Sequence, residues 1–318
     1  MDRSQGGQAD PNKSHHRPLG PGDPRRLGRY ALRQILGEGG FGRVYLGTDP
    51  AGREVAVKVL QAKLAAEREF VERFRQEARN ARRVARMYTA QVLDFDADND
   101  PPYLVTEFVQ GLTLAQRISS SGPMAGSELD QLAYITAAAL EAIHQAHMVH
   151  RDFKPANVML SPTGPRVIDF GIAKVADPYV GAAHGLTMIG TPGFSAPEQL
   201  DGLGATDRSD IYAWAATIAV AGTGRLPFAG RSHEIVHDRP DLAGLEEPLR
   251  TIVAEGLRRN PRERPTARQV MERITGTGRR QASQRPADQR GTTRRPSGDA
   301  AADRGREIDQ EILWRMGL

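Results

Sequence analysis

The order of apolar patterns along the chain restricts its fold more than any other feature of the sequence. Short runs rich in β-branched and aromatic residues come first, at Tyr30–Leu36, Arg43–Thr48 and Glu54–Leu60. The last two runs are separated by Asp49, Pro50, Ala51 and Gly52, which are typical of a hairpin turn. These patterns predict an antiparallel sheet in the first part of the chain.

Helical patterns follow the first strands. A charged helix is predicted over Leu64–Arg86, with Phe70, Phe74, Ala78 and Ala81 on one face. Two more strands are predicted at Ala90–Asp96 and Pro102–Phe108, and then helices at Glu128–Ala146, Ser209–Ala221 and Leu249–Arg258. Strands first and helices afterwards predict an α+β protein with two lobes. The small lobe would span 27–108 and the larger, mainly helical lobe 112–274, connected through 107–111.

Composition narrows the class of protein further. The 318 residues are 39% apolar and 26% charged, which is typical of a globular chain with a sizeable core. Cysteine is absent, which excludes disulfides, thiolate metal sites and cysteine nucleophiles and favours a cytoplasmic location. No uncharged apolar run reaches the roughly 18 residues that cross a bilayer, so we expect no membrane span.

Both ends of the chain differ from this globular part. Residues 1–26 and 275–306 are dense in Gly, Pro, Ser, Gln and Arg without periodic apolar residues, and we predict that both are disordered. Residues 307–318 carry apolar residues at helical spacing and predict a short amphipathic helix that docks on its own domain, binds a partner or frays. The tails are therefore candidates for binding regulatory partners.

The positive charge of the chain is concentrated in the tails. The formal net charge is +4, and residues 276–306 alone hold eight Arg against three Asp. The segment between the tails is close to neutral, which argues against a nucleic-acid-binding fold. The basic tail also lacks interleaved aromatic residues, so an adaptor that binds nucleic acid or an acidic partner through it is the weakest alternative.

A glycine-rich segment lies between the first two predicted strands. Gly37, Gly39 and Gly42 fit the pattern G-x-G-x-x-G, and Val44 follows two residues later. In a dinucleotide-binding fold this pattern opens a helix, whereas here a strand follows. The pattern therefore predicts a β-turn flap whose backbone N–H groups approach phosphate oxygens.

The next strand carries a small residue and a cation on one face. Ala56 and Lys58 are two residues apart, so both side chains point to the same side of the sheet. The small residue leaves space for a flat base while the ammonium reaches phosphates. A solvated edge charge is the alternative, which the flanking valines make less favourable.

A cluster of polar residues later in the chain is the most specific feature. The segment His150-Arg151-Asp152-Phe153-Lys154-Pro155-Ala156-Asn157 is followed by Asp169-Phe170-Gly171. From Leu27 to Ile274 the sequence resembles the eukaryotic-like protein kinases, in particular the bacterial serine/threonine branch found in actinobacteria. The resemblance implies the bilobal protein kinase fold and a soluble enzyme without a membrane anchor or sensor domain. The expected reaction is transfer of the ATP γ-phosphate to protein hydroxyls.

The resemblance also implies a role for each polar residue. Asp152 would accept or orient the proton of the substrate hydroxyl, and Lys154 would neutralise the transferring phosphate. Asn157 and Asp169 would hold Mg²⁺, with Mn²⁺ as an alternative, on the oxygens of ATP. Lys58 would grip the α- and β-phosphates.

Lys58 needs an acidic partner. Glu77 lies at the position of the family's helix C glutamate, and Glu69 and Glu72 are its rivals on the same charged helix. We choose Glu77 from its spacing. We expect His150, by contrast, to be a structural residue near the Asp169 turn.

The resemblance places the nucleotide between the lobes. The purine would lie between Ala56 and Val44 above and Met159 below, and would bond to the backbone of residues 107–109, with Thr106 at the rear. The residues implied in ATP binding are Leu36, Gly37, Gly39, Gly42, Val44, Ala56, Lys58, Glu77, Thr106, Glu107, Val109 and Met159.

The same resemblance implies which hydroxyl groups accept the phosphate and which residues hold the large lobe together. Lys154 and the Gly190-Thr191 pair resemble serine/threonine rather than tyrosine kinases, so we expect Ser or Thr acceptors on proteins. Glu198 and Arg264 would form a buried ion pair, and Asp210 would anchor the catalytic loop. Thr187 is the predicted autophosphorylation site, with a solvated loop threonine as the alternative.

Two further expectations concern activity and assembly. A pseudokinase that keeps the fold only for binding is the main rival, and the intact set of polar residues argues against it. A homodimer through the small lobe, as occurs in this branch, would promote autophosphorylation between two copies.

Overall fold

The computed structural model describes residues 17–39, 42–169, 193–228 and 239–283. The small lobe is built on one antiparallel sheet in the order β1-β3-β4-β5-β7-β6, with β2 beside β3. Its strands are β1 (Arg17–Pro18), β2 (Arg26–Leu27), β3 (Tyr30–Gly39), β4 (Gly42–Thr48), β5 (Glu54–Leu60), β6 (Val92–Asp96) and β7 (Tyr103–Glu107). The five strands predicted from the sequence are confirmed.

One face of this sheet is covered by a helix. The helix α2 (Arg68–Ala81) buries the four predicted residues Phe70, Phe74, Ala78 and Ala81. A separate turn, α1 (Ala62–Ala65), precedes it, because Glu67 has an extended backbone and interrupts the helical pattern. The predicted helix over 64–86 was therefore right in its buried face but too long at both ends.

The large lobe is mainly helical. It contains α3 (Leu114–Ser121), α4 (Gly126–Gln145), α5 (Pro197–Leu200), α6 (Asp207–Thr223), α7 (Leu249–Gly256) and α8 (Ala267–Ser283). A small antiparallel sheet of β8 (Leu112–Thr113), β9 (Val158–Ser161) and β10 (Gly164–Val167) lies beside them. The predicted helices match α4, α6 and α7 to within a few residues.

Helix α6 forms the centre of the large lobe. Most of its residues are buried, so apolar side chains lie on every side of it rather than on one stripe. Its Trp214 donates a hydrogen bond from Nε1 to Thr136 of α4 at 3.0 Å. Helix α7 approaches α6 closely because it ends on Gly256, which has no side chain. A Cβ atom at this position would lie only 2.7 Å from the Cβ atom of Ala215 in α6. The α+β, two-lobed prediction is confirmed.

The chain ends differ from the prediction of disorder. Residues 17–18 and 26–27 pair with β3, so the prediction of disorder over 1–26 is wrong for residues 17–26, while residues 1–16 lie outside the described residues. Two-residue strands have no periodic pattern that the sequence could reveal. Helix α8 likewise continues to Ser283, past the predicted boundary at 275. The helix predicted over 307–318 lies outside the described residues, and none of the described helices is long and apolar enough to cross a bilayer.

Candidate active site

A cavity of about 520 Å³ separates the two lobes. The small lobe contributes the pocket-facing side chains of β3, β4, β5 and β7, and the large lobe contributes β9 and the segment that ends at Asp169. The predicted residues that line it are Leu36, Gly37, Val44, Ala56, Lys58, Thr106, Glu107, Val109, Asn157, Met159 and Asp169. Residues that are far apart in the sequence thus share one cavity, mainly apolar with charged groups at one end.

Several residues of the cavity wall were not singled out from the sequence. They are Ala90, Leu104, Gly111, Thr113, Gln116, Ala156 and Ile168, whereas Phe108 was included only as part of the range 107–109. Leu104 was within reach of the sequence pattern, because it is two residues from Thr106 on a strand and must share its face. Ala90 was not, because it reaches the cavity through a loop that is held to β10 by a hydrogen bond from its N–H to the Val167 carbonyl at 2.9 Å.

Among the predicted site residues that the structure describes, five are not part of the cavity lining: Gly39, Gly42, Glu77, Asp152 and Lys154. Gly39 and Gly42 face each other across the hairpin of β3 and β4. Gly42 has a φ of +146°, and a Cβ there would lie 1.8 Å from the Val59 carbonyl oxygen. Only glycine therefore fits this position, where the hairpin crosses the end of β5.

The segment that carries Asp152 is held by a buried carboxylate. Asp210 of α6 accepts hydrogen bonds from the backbone N–H of His150 at 2.7 Å and of Arg151 at 2.9 Å. Arg151 has a φ of 65°, which is unfavourable for a residue with a side chain. The two bonds from successive N–H groups stabilise this conformation, and they confirm the predicted anchoring contact of Asp210.

Asp152, Lys154 and Asn157 form one polar cluster. The Asn157 amide donates to the Asp152 carbonyl at 2.7 Å and to its carboxylate at 3.3 Å. The Lys154 ammonium lies 3.4 Å from the same carboxylate. The cluster is continuous with the cavity, because Asn157 also lines it.

The ion pairs of Lys58 and Glu77 differ from the prediction. Lys58 pairs with Asp169 on the opposite wall of the cavity. Glu77 accepts instead from Arg151 at 3.3 Å, and its second carboxylate oxygen is buried without a hydrogen-bond partner among the described groups. The predicted Lys58–Glu77 pair is therefore wrong for this structure, because each charge has taken a different neighbour. The rivals Glu69 and Glu72 form surface pairs with Arg73 and Arg75.

His150 is completely buried and acts as a bridge, as expected of a structural residue. Its Nδ1 accepts from the backbone N–H of Asp152 at 3.3 Å, so Nε2 carries the proton and donates to the Ile168 carbonyl at 3.2 Å. Burial lowers the pKa of His150 despite the opposing charges of Asp210, Asp152 and Asp169, so the ring is neutral. The ring thus joins the segment of Asp152 to the residue that precedes Asp169.

A second ion pair lies deep in the large lobe. Arg264 binds both carboxylate oxygens of Glu198, at 2.6 and 2.8 Å, and Ser209 donates to the same carboxylate at 2.7 Å. Burial raises the pKa of Glu198, but the hydrogen bonds from Arg264 and Ser209 outweigh burial and leave the pKa below its ordinary value. The predicted Glu198–Arg264 pair is confirmed.

The connection between the lobes carries an ion pair that the sequence did not reveal. Arg166 of β10 donates to the Glu107 carboxylate at 2.7 Å and to the Thr89 carbonyl at 2.8 Å. Glu107 is the last residue of β7 and lines the cavity. This contact joins the rear of the small lobe to the strand that leads to Asp169.

Comparison of the sequence with protein families agrees with this two-lobed arrangement. The family described as "Protein kinase domain" matches residues 30–274, which is most of the chain and includes both lobes. The chain therefore belongs to the protein kinase family. Within it, the relatives below place the chain among the bacterial serine/threonine kinases, whose family chemistry uses ATP and a divalent metal.

Three curated relatives cover most of this chain. The probable serine/threonine-protein kinase PkwA of Thermomonospora curvata is 40% identical and the match covers 81% of this chain and 35% of PkwA. AfsK of Streptomyces griseus is 40% identical over 73% of this chain and 29% of AfsK. PknB of Mycobacterium tuberculosis is 37% identical over 74% of this chain and 40% of PknB. The matched part is thus well under half the length of each relative.

Solved structures agree with the fold. The kinase domain of PknI from Mycobacterium tuberculosis has a TM-score of 0.63 and 27% identity, covering 79% of this chain and 96% of that domain. Rad53 residues 1–466 also give a TM-score of 0.63, at 21% identity, over 77% of this chain and 64% of that one. The second likeness concerns the fold alone.

Proposed function

We propose that this chain transfers the γ-phosphate of ATP to serine and threonine hydroxyls of proteins. The observation that carries the proposal is the joining of Asp152, Lys154 and Asn157 into one hydrogen-bonded cluster beside the cavity that Lys58 and Asp169 enter. Phosphoryl transfer needs this combination, because the protein contributes positioning and charge neutralisation around a loose transition state. The purine would occupy the apolar part of the cavity, against Val44, Ala56 and Met159.

In this proposal each residue acts on a defined atom. Asp152 accepts the proton of the acceptor hydroxyl as its oxygen bonds to the γ-phosphorus and the bond to the bridging oxygen breaks, which leaves ADP. Lys154 neutralises the negative charge of the transferring group. Lys58 releases Asp169 and binds the α- and β-phosphates, which compete for its ammonium.

The oxygen ligands near the cavity suit a magnesium ion. Asn157 uses its amide nitrogen to bind Asp152, so its amide oxygen remains for a metal, and Asp169 supplies carboxylate oxygens. Among the described residues no group of three or more His, Asp or Glu side chains could enclose a metal. Two protein oxygens together with phosphates are the usual site for Mg²⁺, and Mn²⁺ accepts the same donors. A bound divalent ion would neutralise charge on the phosphate oxygens.

Phosphate incorporation tests the proposal. We would incubate the full chain with ATP labelled in the γ-phosphate, Mg²⁺ and a mixture of acceptor proteins, and identify the labelled amino acids. The expected result is phosphoserine and phosphothreonine, with labelling reduced by about 100-fold or more for Asp152→Asn. Asp201→Asn, outside both the cavity lining and the polar cluster, is the matched control and should retain activity. Phosphotyrosine as the main product would contradict the proposed acceptor class.

The rival function is a pseudokinase that binds ATP without using it. Binding of ATP with no phosphate transfer, in Mg²⁺ and in Mn²⁺, would favour that function. The intact polar cluster supports the active enzyme, because binding alone does not require Asp152 or Lys154.

Three further predictions accompany this proposal. Autophosphorylation on Thr187, which lies outside the described residues, predicts that Thr187→Ala loses the main site in phosphopeptide maps. A homodimer through the small lobe predicts concentration-dependent mass in solution. A cytoplasmic location remains a prediction that cell fractionation would test.

A further inference from the structure

The segment before the kinase-domain match packs on the small lobe. We call residues 17–27 the N-terminal strap. Both of its strands pair with β3, opposite Gln34 and Ile35 for β1 and opposite Tyr30 and Ala31 for β2. Its Leu19 and Leu27 pack on an apolar cluster. This cluster contains Tyr30, Leu32, Ile35, Tyr45, Val55, Val57, Val59, Tyr103 and Val105.

The strap covers the face of the sheet that is opposite the cavity. Alternation along β5 places Val55, Val57 and Val59 in the cluster under the strap, while Ala56 and Lys58 line the cavity. The same alternation holds along β4. Contacts of the strap therefore act on the strands whose other face forms the cavity wall.

One carboxylate of the strap gathers three donors. Asp23 accepts from the backbone N–H of Gly20 at 2.8 Å, from the Arg43 guanidinium at 2.8 Å and from the Tyr45 hydroxyl at 2.9 Å. Its side chain is only 5% exposed. These bonds, led by that from Gly20, hold the pKa of Asp23 below its ordinary value, so the carboxylate is charged at neutral pH.

The two side chains held by Asp23 flank a cavity residue. Arg43 and Tyr45 are the neighbours of Val44 on β4, and Val44 lines the cavity. Arg43 is also paired across the hairpin with Glu38, one step from the Gly39–Gly42 pair. Asp23 thus fixes β4 on both sides of Val44, at the root of the glycine-rich hairpin.

Charges of alternating sign extend from this point along the hairpin. Arg43 pairs with Glu38 at 2.9 Å, and Glu38 pairs with Arg17 at 3.1 Å. Arg17 and Glu38 are exposed, so their pair contributes little. The Asp23 side chain is the least exposed of the series, and the hold of the strap on the hairpin depends on it.

We propose that the N-terminal strap holds the glycine-rich hairpin in register over ATP and that Asp23 is the positioning residue through which it does so. The proposal rests on the proposed function only for its kinetic consequence. Removing the Asp23 carboxylate weakens the hold on Tyr45 and leaves Arg43 with Glu38 alone, so the hairpin moves more and binds the phosphates less well. The effect falls on ATP binding rather than on the transfer step, since Asp23 is not part of the cluster around Asp152.

The test compares variants of the full chain. Asp23→Asn keeps the shape of the side chain and removes its charge, and Tyr45→Phe removes a single donor without emptying the apolar cluster. Arg17→Gln, on the same strap but in the exposed pair, is the matched control. The measurements are ATP affinity by calorimetry, KM for ATP and kcat where phosphate is transferred, and hydrogen exchange of residues 42–48.

For Asp23→Asn we expect ATP affinity to fall about tenfold, with kcat within about twofold, and exchange of 42–48 to accelerate. Tyr45→Phe should show a smaller change in the same direction, and Arg17→Gln none. If Asp23→Asn fails to fold, Tyr45→Phe decides alone. The proposal is wrong if Tyr45→Phe has the same ATP affinity and the same hydrogen exchange of residues 42–48 as Arg17→Gln. It is also wrong if Asp23→Asn folds and matches Arg17→Gln in these two measurements. If no variant transfers phosphate but Asp23→Asn still weakens ATP binding, the proposed function fails and the role of the strap stands.

Discussion

The Glu77 carboxylate accepts a hydrogen bond from Arg151 at 3.3 Å, while Lys58 pairs with Asp169. Helix α2 is thereby tied to the segment that Asp210 anchors, rather than to β5. Four charges near the cavity are thus divided into two pairs, Glu77 with Arg151 and Lys58 with Asp169.

Replacement of Glu77 tests the importance of this carboxylate. We expect Glu77→Gln to lower kcat/KM for ATP about tenfold or more, equivalent to about 1.4 kcal/mol, because Arg151 then loses its charged partner on α2 and the segment of Asp152 is held less firmly. Glu72→Gln is the control, since Glu72 is exposed on the same helix. Steady-state kinetics on both variants measure the difference. Equal activity of the two variants would show that the Glu77 charge is not used.

The buried Glu198–Arg264 pair should dominate the stability of the large lobe. Arg264→Met leaves the Glu198 carboxylate buried without its partner, and we expect a loss of about 3–5 kcal/mol in the free energy of unfolding. Arg264→Lys keeps the charge but not the two parallel bonds, so it should also be destabilising. Urea denaturation measures both variants. Arg268→Met, which removes a surface pair with Glu141, is the control and should cost less than about 1 kcal/mol.

The neutral, buried His150 predicts a pH dependence of stability. Because burial lowers its pKa in the folded state, the unfolded chain binds a proton first as the pH falls below the ordinary value of 6.5. Stability is therefore complete above that pH and decreases as the pH falls, by at most about 1.4 kcal/mol per pH unit. Denaturation curves of the wild type and His150→Asn between about pH 5 and 8 isolate this contribution. Parallel curves for the two proteins would contradict it.

Asp210 should affect both stability and catalysis. Asp210→Asn can accept only one of the two backbone bonds, so we expect a loss of about 1–3 kcal/mol in the free energy of unfolding. The segment of Arg151 then loses part of its support, and kcat should fall more than KM for ATP changes. Asp207→Asn is the control, because Asp207 is exposed on the first turn of the same helix. A variant of Asp210 with normal kcat would contradict the anchoring role.

The parts of the site that were predicted from sequence are those fixed by spacing. Ala56 and Lys58 share a face because side chains alternate along a strand. The roles of Asp152 and Asn157, by contrast, were implied by the resemblance to a family. The contacts of Asp210 and of the Glu198–Arg264 pair came from the resemblance to a family, since no local pattern joins residues so far apart. Because Asp210 and the Glu198–Arg264 pair are buried, each has only one set of neighbouring groups with which it can form hydrogen bonds.

The partners of Glu77 and the strap could not be predicted for two different reasons. Two pairings of similar chemistry are open to the four charged residues Lys58, Asp169, Glu77 and Arg151. The choice between these pairings depends on the placement of helix α2, which the spacing of residues in the sequence does not determine. The strap has short strands and polar composition, and it is ordered by contacts with β3 and β4 that only the folded sheet provides. Tertiary contacts here override the disorder that composition indicates.

The most direct test of the catalytic role of Asp152 separates ATP binding from phosphate transfer in one variant. For Asp152→Asn, the affinity for ATP with Mg²⁺ is measured by calorimetry and the rate of phosphate transfer is measured on the same preparation. Asp152 lies outside the cavity lining and contacts Lys154 and Asn157. We expect unchanged affinity for ATP, with phosphate transfer reduced by about 100-fold or more. Transfer at the wild-type rate would contradict the role of Asp152 and, with it, the proposed mechanism.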